Sequence, residues 1–427
     1  MKEKPSPINI IWFAIILLAI LAAAWHGTTG ELSAALFDSA KSAVKLAIGL
    51  IGAMAFWLGI MKVIEDAGAL RSIAKAVKPV MSKLFPEIPS DHPAIGAMVM
   101  NISANMLGMG NAATPFGINA MKELDTLNAE KGRATNAMAL FLAINTSSVT
   151  LLPLGVITIR AAAGASSPAA ILFPTLISTI VSTAVAITMA KLLQRRSYDA
   201  VLTDAGYEKQ KNNDPGEPEK IKKSRLCLSI IFSLLFIGGA AYRISQTTDE
   251  FTFKNTVQAV SDWLIPTIIL AALLYGWLRN VKLYESLVSG AKEGFETAVR
   301  IIPFMVAIFV AVGMFRASGA LDILVTTLNP LTSLVGMPAE ALPMALIRPL
   351  SGSGAFGIMS EIVERDPDSF LSFLVSTMQG STETTFYVLA VYFGAVQIKN
   401  SRHALPAALS ADFAGIVTAL VTALVFY

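Results

Sequence analysis

Two runs of small polar residues interrupt otherwise apolar segments: Asn145-Thr146-Ser147-Ser148-Val149-Thr150 (145–150) and Gln379-Gly380-Ser381-Thr382-Glu383-Thr384-Thr385 (379–385). Each segment is long enough to cross a bilayer. Polar groups at that depth are costly unless they are buried in protein or line a cavity. Secondary transporters commonly use helices broken near the midplane to expose backbone groups to a solute or an ion. The two runs therefore predict one solute site formed by two broken helices.

The composition is that of a polytopic membrane protein. Of the 427 residues, 54% are hydrophobic and only 15% are charged, whereas soluble domains carry about 25% charged residues. The basic residues are scattered and no nucleic-acid-binding motif occurs, so we expect lipid and a small molecule as partners and no nucleic acid. A single cysteine and three distant histidines argue against a transition-metal site. Catalytic templates are absent, so we do not expect an enzyme.

The chain divides into two membrane halves joined by a charged linker. Each half contains an apolar stretch with a polar centre, which predicts a re-entrant hairpin, followed by a broken helix. The predicted fold is all-α, with several membrane spans. The halves are residues 1–193 and 226–427, the linker is 194–225, the hairpins are about 92–120 and 339–359, and the broken helices are about 135–159 and 370–392.

Lysine and arginine near the span ends predict the orientation in the cytoplasmic membrane. With the N-terminus inside and each hairpin returning to the side it entered, the basic connections 62–83 and 279–300 fall in the cytoplasm, together with the central linker. The connection 27–42 and the acidic patch at 361–368 then fall outside. The short connections are consistent with this orientation.

The two halves resemble each other weakly but in the same order. Residues 65–70 match residues 316–321, and the two polar runs follow in the same sequence. In the predicted orientation the span 44–61 runs from outside to inside, and the span 301–315 runs in the opposite direction. We therefore predict an inverted repeat, as in many transporters. Chance similarity between short Gly-Ala-Leu stretches is the alternative.

Glu383 is interpreted as the one carboxylate inside a predicted span core. Holding an ionisable group there costs several kcal/mol unless the group is paired or solvated, which makes a function the default hypothesis. Glu383 could accept hydrogen bonds from a polar solute, help to hold sodium or carry a proton, and a structural ion pair with Arg348 is the alternative. Arg348 could bind an anionic group of the solute or lock the second hairpin to Glu383.

The candidate site residues form two groups. The first hairpin and the first polar run supply neutral oxygen atoms that suit sodium, although for any single hydroxyl an interhelical hydrogen bond is the alternative. No other cofactor is expected. The ion-binding candidates are Asn105, Asn145, Thr146, Ser147, Ser148 and Thr150, and the substrate-binding candidates are Asn111, Arg348, Ser351, Ser353, Gln379, Ser381, Thr382, Glu383 and Thr384.

Longer stretches carry a family resemblance. "HPAIGAMVMNISANMLGMGNAATPFGINAM" (92–121) and "FLAINTSSVTLLP" (141–153) resemble the bacterial spore maturation protein A family. "RPLSGSGAFGIMSEI" (348–362) and "STMQGSTETTFYVLAVYFG" (376–394) resemble the spore maturation protein B family. The chain thus resembles a fusion of the two. Both belong to the nucleoside-recognition, or gate-domain, group, which is similar to concentrative nucleoside transporters.

The resemblance implies a transporter fold in the bacterial inner membrane, with two re-entrant hairpins and two broken helices from inverted repeats. It also implies a homo-oligomer, a trimer or a dimer. Together with the residues it predicts a secondary transporter of a small polar or anionic solute, nucleoside-like or a carboxylate, coupled to sodium or protons by alternating access. The alternative is a non-transporting membrane protein that regulates or scaffolds an envelope or spore-maturation-like process.

Overall fold

A computed structural model describes residues 7–89, 92–108, 110–194, 223–247 and 253–427. These residues are mainly helical, and the one isolated β-bridge within them joins Arg133 to Asn400. The predicted linker lies almost entirely outside them. The helices before it are α1 (Pro7–His26), α2 (Thr29–Asp66), α3 (Ala69–Leu84), α4 (Pro93–Met106), α5 (Gly110–Thr126), α6 (Asn136–Thr146), α7 (Leu154–Ala162) and α8 (Leu172–Gln194). Those after it are α9 (Lys223–Thr247), α10 (Phe253–Leu278), α11 (Leu283–Ala317), α12 (Ala320–Thr332), α13 (Leu342–Ile347), α14 (Gly352–Arg365), α15 (Phe370–Ser381), α16 (Thr385–Ala395) and α17 (Ala404–Phe426).

Several helices are long and apolar enough to cross a membrane, which makes this a multi-pass membrane protein. Within the described part of the chain four helical segments meet that condition, and a fifth span results if a pair bent by 78° is counted as one. The four segments are Thr29–Asp66, Pro168–Gln194, Ser224–Arg243 and Ala404–Phe426, and the bent pair is Met305–Ala317 with Ala320–Pro330.

The same order of elements occurs on both sides of the linker. α2 turns into α3 through Gly68 (φ 82°), and α11 turns into α12 through Gly319 (φ 78°). Glycine is the residue that adopts such positive φ values without steric cost. A pair of short helices follows in each half, then an interrupted pair and finally a long apolar helix. The two glycines also align in the sequence match between residues 65–70 and 316–321.

Glycine brings the backbones of α2 and α11 into close contact. A Cβ atom on Gly294 would lie 2.5 Å from Cα of Ala55 and 2.6 Å from the carbonyl oxygen of Met54. One turn earlier, a Cβ on Gly290 would meet the carbonyl oxygen of Leu58. Small residues at such a spacing let membrane helices pack closely. α1 packs on α11 and α10 packs on α2, so these four helices form one group.

The predicted connections 27–42, 62–83 and 279–300 are wrong as loops, because they are largely helical, and residues 62–83 lie almost wholly in α2 and α3. Residues 27–42 lie mostly in α2, which begins at Thr29, and residues 279–300 lie mostly in α11, which begins at Leu283. Hydropathy predicts which part of a helix lies in the bilayer, but it does not predict the residue at which the helix ends. Both helices therefore continue past their most apolar segment.

A second group of helices holds the two interruptions. α8 and α17 pack on each other, and both contact α6 and α15. The Ser182 hydroxyl of α8 donates a hydrogen bond to the carbonyl oxygen of Ala411 in α17 at 2.8 Å. A Cβ on Gly415 would lie 2.5 Å from Cγ2 of Thr382, so α17 lies directly against the second interruption.

Candidate functional site

Both helix interruptions begin within the polar runs, and the runs contact each other. α6 ends at Thr146 and α7 begins at Leu154, whereas α15 ends at Ser381 and α16 begins at Thr385. The backbone N–H of Glu383 donates to the carbonyl oxygen of Thr146 at 2.8 Å. Buried backbone groups need hydrogen-bond partners. This bond supplies an acceptor for the N–H of the second interruption and a donor for the carbonyl at the end of α6.

The short helix pair in each half is tied to the interruption that follows it. The N–H of Leu151 donates to the carbonyl oxygen of Met106 at 2.9 Å, and the N–H of Phe386 donates to that of Pro349 at 3.1 Å. Met106 ends α4, and Pro349 lies between α13 and α14. The same backbone contact therefore fixes the position of each pair relative to its broken helix.

A cavity of about 540 Å³ opens where the two helix groups meet. Its wall combines residues from α2 and α11 with residues from both interruptions and both short helix pairs. The predicted site residues in the wall are Asn105, Thr150, Arg348, Ser353, Gln379, Glu383 and Thr384. Wall residues that the sequence did not indicate include Trp57, Lys62, Glu65, Glu293 and Phe356.

The other predicted site residues that the structure describes do not line the cavity. Some are buried next to it, and one hydrogen-bonds to the backbone. Ser351 caps α14 by accepting a hydrogen bond from the N–H of Gly354 at 3.1 Å. The side chain of Asn111 lies outside the described residues. The remaining candidates do not line the cavity and are buried around it: Asn145, Thr146, Ser147, Ser148, Ser381 and Thr382.

Arg348 joins the second short helix pair to the second interruption. Its side chain is only 4% exposed. Nη1 donates to the Thr384 hydroxyl at 3.2 Å, and Nη2 donates to the carbonyl oxygen of Thr382. Nη2 also lies 3.9 Å from a carboxylate oxygen of Glu383. The guanidinium is therefore engaged mainly within the protein.

Glu383 is half exposed and faces the cavity, and it is accompanied by a second carboxylate. The interpretation of Glu383 as the one carboxylate in a span core is wrong, because Asp412 lies within α17 and is 2% exposed. The Thr385 hydroxyl donates to Oδ2 of Asp412 at 2.6 Å. An acidic residue in the interior of the last apolar span is visible in the sequence, which is the signal that could have identified it.

A hydrogen-bonded network occupies the first interruption. Oδ1 of Asn145 accepts hydrogen bonds from Nδ2 of Asn105 at 3.0 Å and from the hydroxyl of Tyr392 at 3.3 Å. The Tyr392 hydroxyl in turn accepts from Nδ2 of Asn101 at 3.1 Å. The Tyr392 ring stacks on Phe141, with 6.1 Å between centroids. The amide oxygen of Asn145 is thus already shared by two donors.

The hydroxyls of the first polar run also bond locally. Those of Thr146 and Ser147 each donate to the carbonyl oxygen of Ala143 at 2.9 Å, and that of Thr150 donates to the carbonyl oxygen of Ser148 at 3.2 Å. Ser148 differs, since its buried hydroxyl has no hydrogen-bond partner among the described residues. A hydroxyl that donates its proton keeps lone pairs on its oxygen, so these local bonds leave the hydroxyl oxygens able to accept a further hydrogen bond or to coordinate a cation.

We expect the Gly117→Ala variant to lose about 1–3 kcal/mol of stability, the usual cost of overpacking. A Cβ at Gly117 would overlap the ring of Tyr392 and displace it from Asn145. Thermal unfolding of the purified protein in detergent measures the effect. Gly96→Ala in α4 is the matched control, because a Cβ there has no neighbour within 4 Å. Equal unfolding temperatures for the two variants would contradict the expectation.

The family model described as "Gate: Nucleoside recognition" matches residues 47–163 and 298–399. The chain belongs to the nucleoside-recognition gate family. Each matched range contains one polar run together with the short helix pair before it. The gate regions therefore include both interruptions, whereas Asp412 lies beyond the second match.

Two relatives each match part of this gate-family chain. Spore maturation protein A of Bacillus subtilis (strain 168) is 41% identical over 175 residues, which cover 41% of this chain and 89% of that protein. Spore maturation protein B of the same organism is 49% identical over 167 residues, which cover 38% of this chain and 94% of that protein. No solved structure matches the chain.

Proposed function

We propose that this gate-family protein is a secondary transporter of a small, neutral, nucleoside-like solute that donates hydrogen bonds. The observation that carries the proposal is the half-exposed carboxylate of Glu383 in the cavity where the two helix interruptions meet. A carboxylate accepts hydrogen bonds from hydroxyl or amine groups, and each such charged bond contributes about 1.5–3 kcal/mol.

The charges of the cavity wall favour a neutral solute over an anion. The ammonium of Lys62 pairs with Glu65 at 3.2 Å, and Arg348 is buried against the second interruption. Glu293 and Glu383 add two carboxylates to the wall. An anion would meet these carboxylates while both cations are engaged with other protein groups. Of the two predicted solute classes, the nucleoside-like class is therefore the one we propose.

The rest of the wall suits a planar polar ring. Trp57 and Phe356 contribute aromatic surface, on which a planar base can stack. Gly352 and Ser353 form the first turn of α14 at the cavity. Backbone N–H groups in the first turn of a helix have no intrahelical partner and can donate to solute oxygen or nitrogen atoms.

The proposed transport mechanism is alternating access in a bacterial inner-membrane homo-oligomer, with the N-terminus and the linker in the cytoplasm. The two halves would form an inverted repeat, with α4–α5 and α13–α14 as re-entrant hairpins. The group containing α8 and α17 would move against the group containing α2 and α11. Sodium at the first interruption or a proton would drive the cycle, and no covalent step on the solute is proposed.

Glu383→Gln is expected to weaken solute binding about 10- to 100-fold, which corresponds to the loss of about one charged hydrogen bond. Purified protein would be titrated with uridine, adenosine and succinate, each with and without sodium, and the unfolding temperature recorded. We expect the nucleosides to raise the unfolding temperature of the wild type and to have little effect on Glu383→Gln. Succinate should have no effect on either protein.

The matched control is Glu293→Gln, because Glu293 also lines the cavity but lies on α11, away from the interruptions. This variant should keep most of the nucleoside-induced stabilisation. Stabilisation by succinate that survives Glu383→Gln would overturn the assignment of the solute class. A flat response to every compound would instead favour the non-transporting alternative, a regulatory or scaffolding membrane protein.

A further inference from the structure

Asp412 is a buried carboxylate that the proposed solute site does not use. It is 2% exposed within α17, and the Thr385 hydroxyl donates to its Oδ2. Its other oxygen, Oδ1, has no hydrogen-bond partner among the described residues. An ionised carboxylate with an unsatisfied oxygen is strongly disfavoured in an apolar environment. The group therefore needs a proton or a nearby cation.

Few charged groups surround Asp412. α17 packs against α6, α8, α15 and α16. The helices α6 and α15 contain no charged residue, and the one charged residue of α8, Lys191, donates to the carbonyl oxygen of Leu84 at 2.9 Å. α16 contributes Tyr387 and Tyr392, of which Tyr392 is bonded to Asn101 and Asn145. Arg348 and Glu383 reach the same region, because Glu383 and Thr384, which accepts from Nη1 of Arg348, directly precede the Thr385 that donates to Asp412.

These three groups combine one positive charge with two carboxylates. Arg348 lies 3.9 Å from Glu383 and is also within electrostatic range of Asp412. Glu383 is half exposed to the cavity, so water solvates its charge. Asp412 has no such solvation, and its ionisation would give the three groups a net charge of −1 with this carboxylate buried, which costs several kcal/mol. A proton on Oδ1 of Asp412 removes that charge.

We propose that Asp412 is the binding site for the coupling proton of the transport cycle. The proton comes from water in the cavity and returns to water when Asp412 ionises. Glu383 contacts the solute and also pairs with Arg348. When Arg348 interacts less strongly with Glu383, it stabilises the ionised form of Asp412 more, and the affinity of Asp412 for the proton falls. This inference rests on the proposed function and assigns its coupling ion and the residue that carries it.

Infrared difference spectroscopy of the purified full-length protein tests the assignment without any solute. The wild type should show the carbonyl-stretch signal of a protonated carboxylic acid at neutral pH, and this signal should disappear as the pH is raised. Asp412→Asn should lose the signal. Asp322→Asn, at an exposed position of α12, should keep it. If Asp412→Asn does not fold, Asp412→Glu should retain a protonated-acid signal at a shifted frequency.

A second variant tests the coupling to the solute residue. In Glu383→Gln the acid signal at neutral pH should be weaker, because the Arg348 charge then acts on Asp412 alone. The assignment is overturned if the wild type lacks the signal or if Asp412→Asn retains it, and an unchanged signal in Glu383→Gln overturns the coupling. Failure of the nucleoside panel with a positive infrared result would overturn the transport proposal and leave Asp412 as a buried protonation site without a role in coupling. A positive panel with a negative infrared result would overturn the proton site alone.

Discussion

Arg348→Ala is expected to lower the free energy of unfolding by about 3–6 kcal/mol, because two charged hydrogen bonds, each contributing about 1.5–3 kcal/mol, are lost. The variant loses the donors to the Thr384 hydroxyl and the Thr382 carbonyl. It also leaves Glu383 and Asp412 without the cation that interacts with both. Few other single substitutions in the described residues remove both a charge and the hydrogen bonds that hold a helix interruption.

Thermal unfolding and size-exclusion chromatography of the purified variants measure this effect. Arg348→Lys should fall between the wild type and Arg348→Ala, because a lysine keeps the charge but lacks the planar fork that reaches two acceptors. Arg365→Ala is the matched control, since Arg365 is exposed at the end of α14. Wild-type stability of Arg348→Ala would contradict the role assigned to the guanidinium.

Gly294→Val is the second substitution with a large expected effect, at or above the upper end of the overpacking range of about 1–3 kcal/mol. The added side chain would meet backbone atoms of α2, namely Cα and N of Ala55 and the carbonyl oxygen of Met54. Backbone atoms cannot rotate away as a side-chain end can. α2 and α11 would therefore have to separate along their contact.

The matched control for this variant is Gly52→Val in α2, because a Cβ at Gly52 has no neighbour within 4 Å. Valine differs little from glycine in helix propensity, so the control should unfold close to the wild-type temperature. The comparison uses the unfolding temperature and the fraction of monodisperse protein after extraction in detergent. Similar results for the two variants would show that the α2–α11 contact tolerates a larger residue.

The positions of the helix interruptions could be predicted from the sequence. The predicted broken helices, about 135–159 and 370–392, contain the observed gaps between Thr146 and Leu154 and between Ser381 and Thr385. A polar run inside an apolar segment can be recognised from the local sequence alone, because each unsatisfied polar group in the bilayer costs free energy whatever its distant neighbours are. The ends of α2 and α11 were missed, because helix length beyond the bilayer leaves no such signal.

The sequence by itself determined that this is a helical membrane protein of the gate family, and it identified the two polar runs and Glu383. Only the tertiary structure decided how the two runs meet, through the bond from the Glu383 N–H to the Thr146 carbonyl. It also decided that Arg348 lies buried beside Glu383 and that Asp412, on a separate helix, belongs to the same group of charges. The physical reason is that polarity and hydropathy are properties of single residues and short segments, which can be read from the sequence. Partners hundreds of residues apart are chosen only when the helices pack.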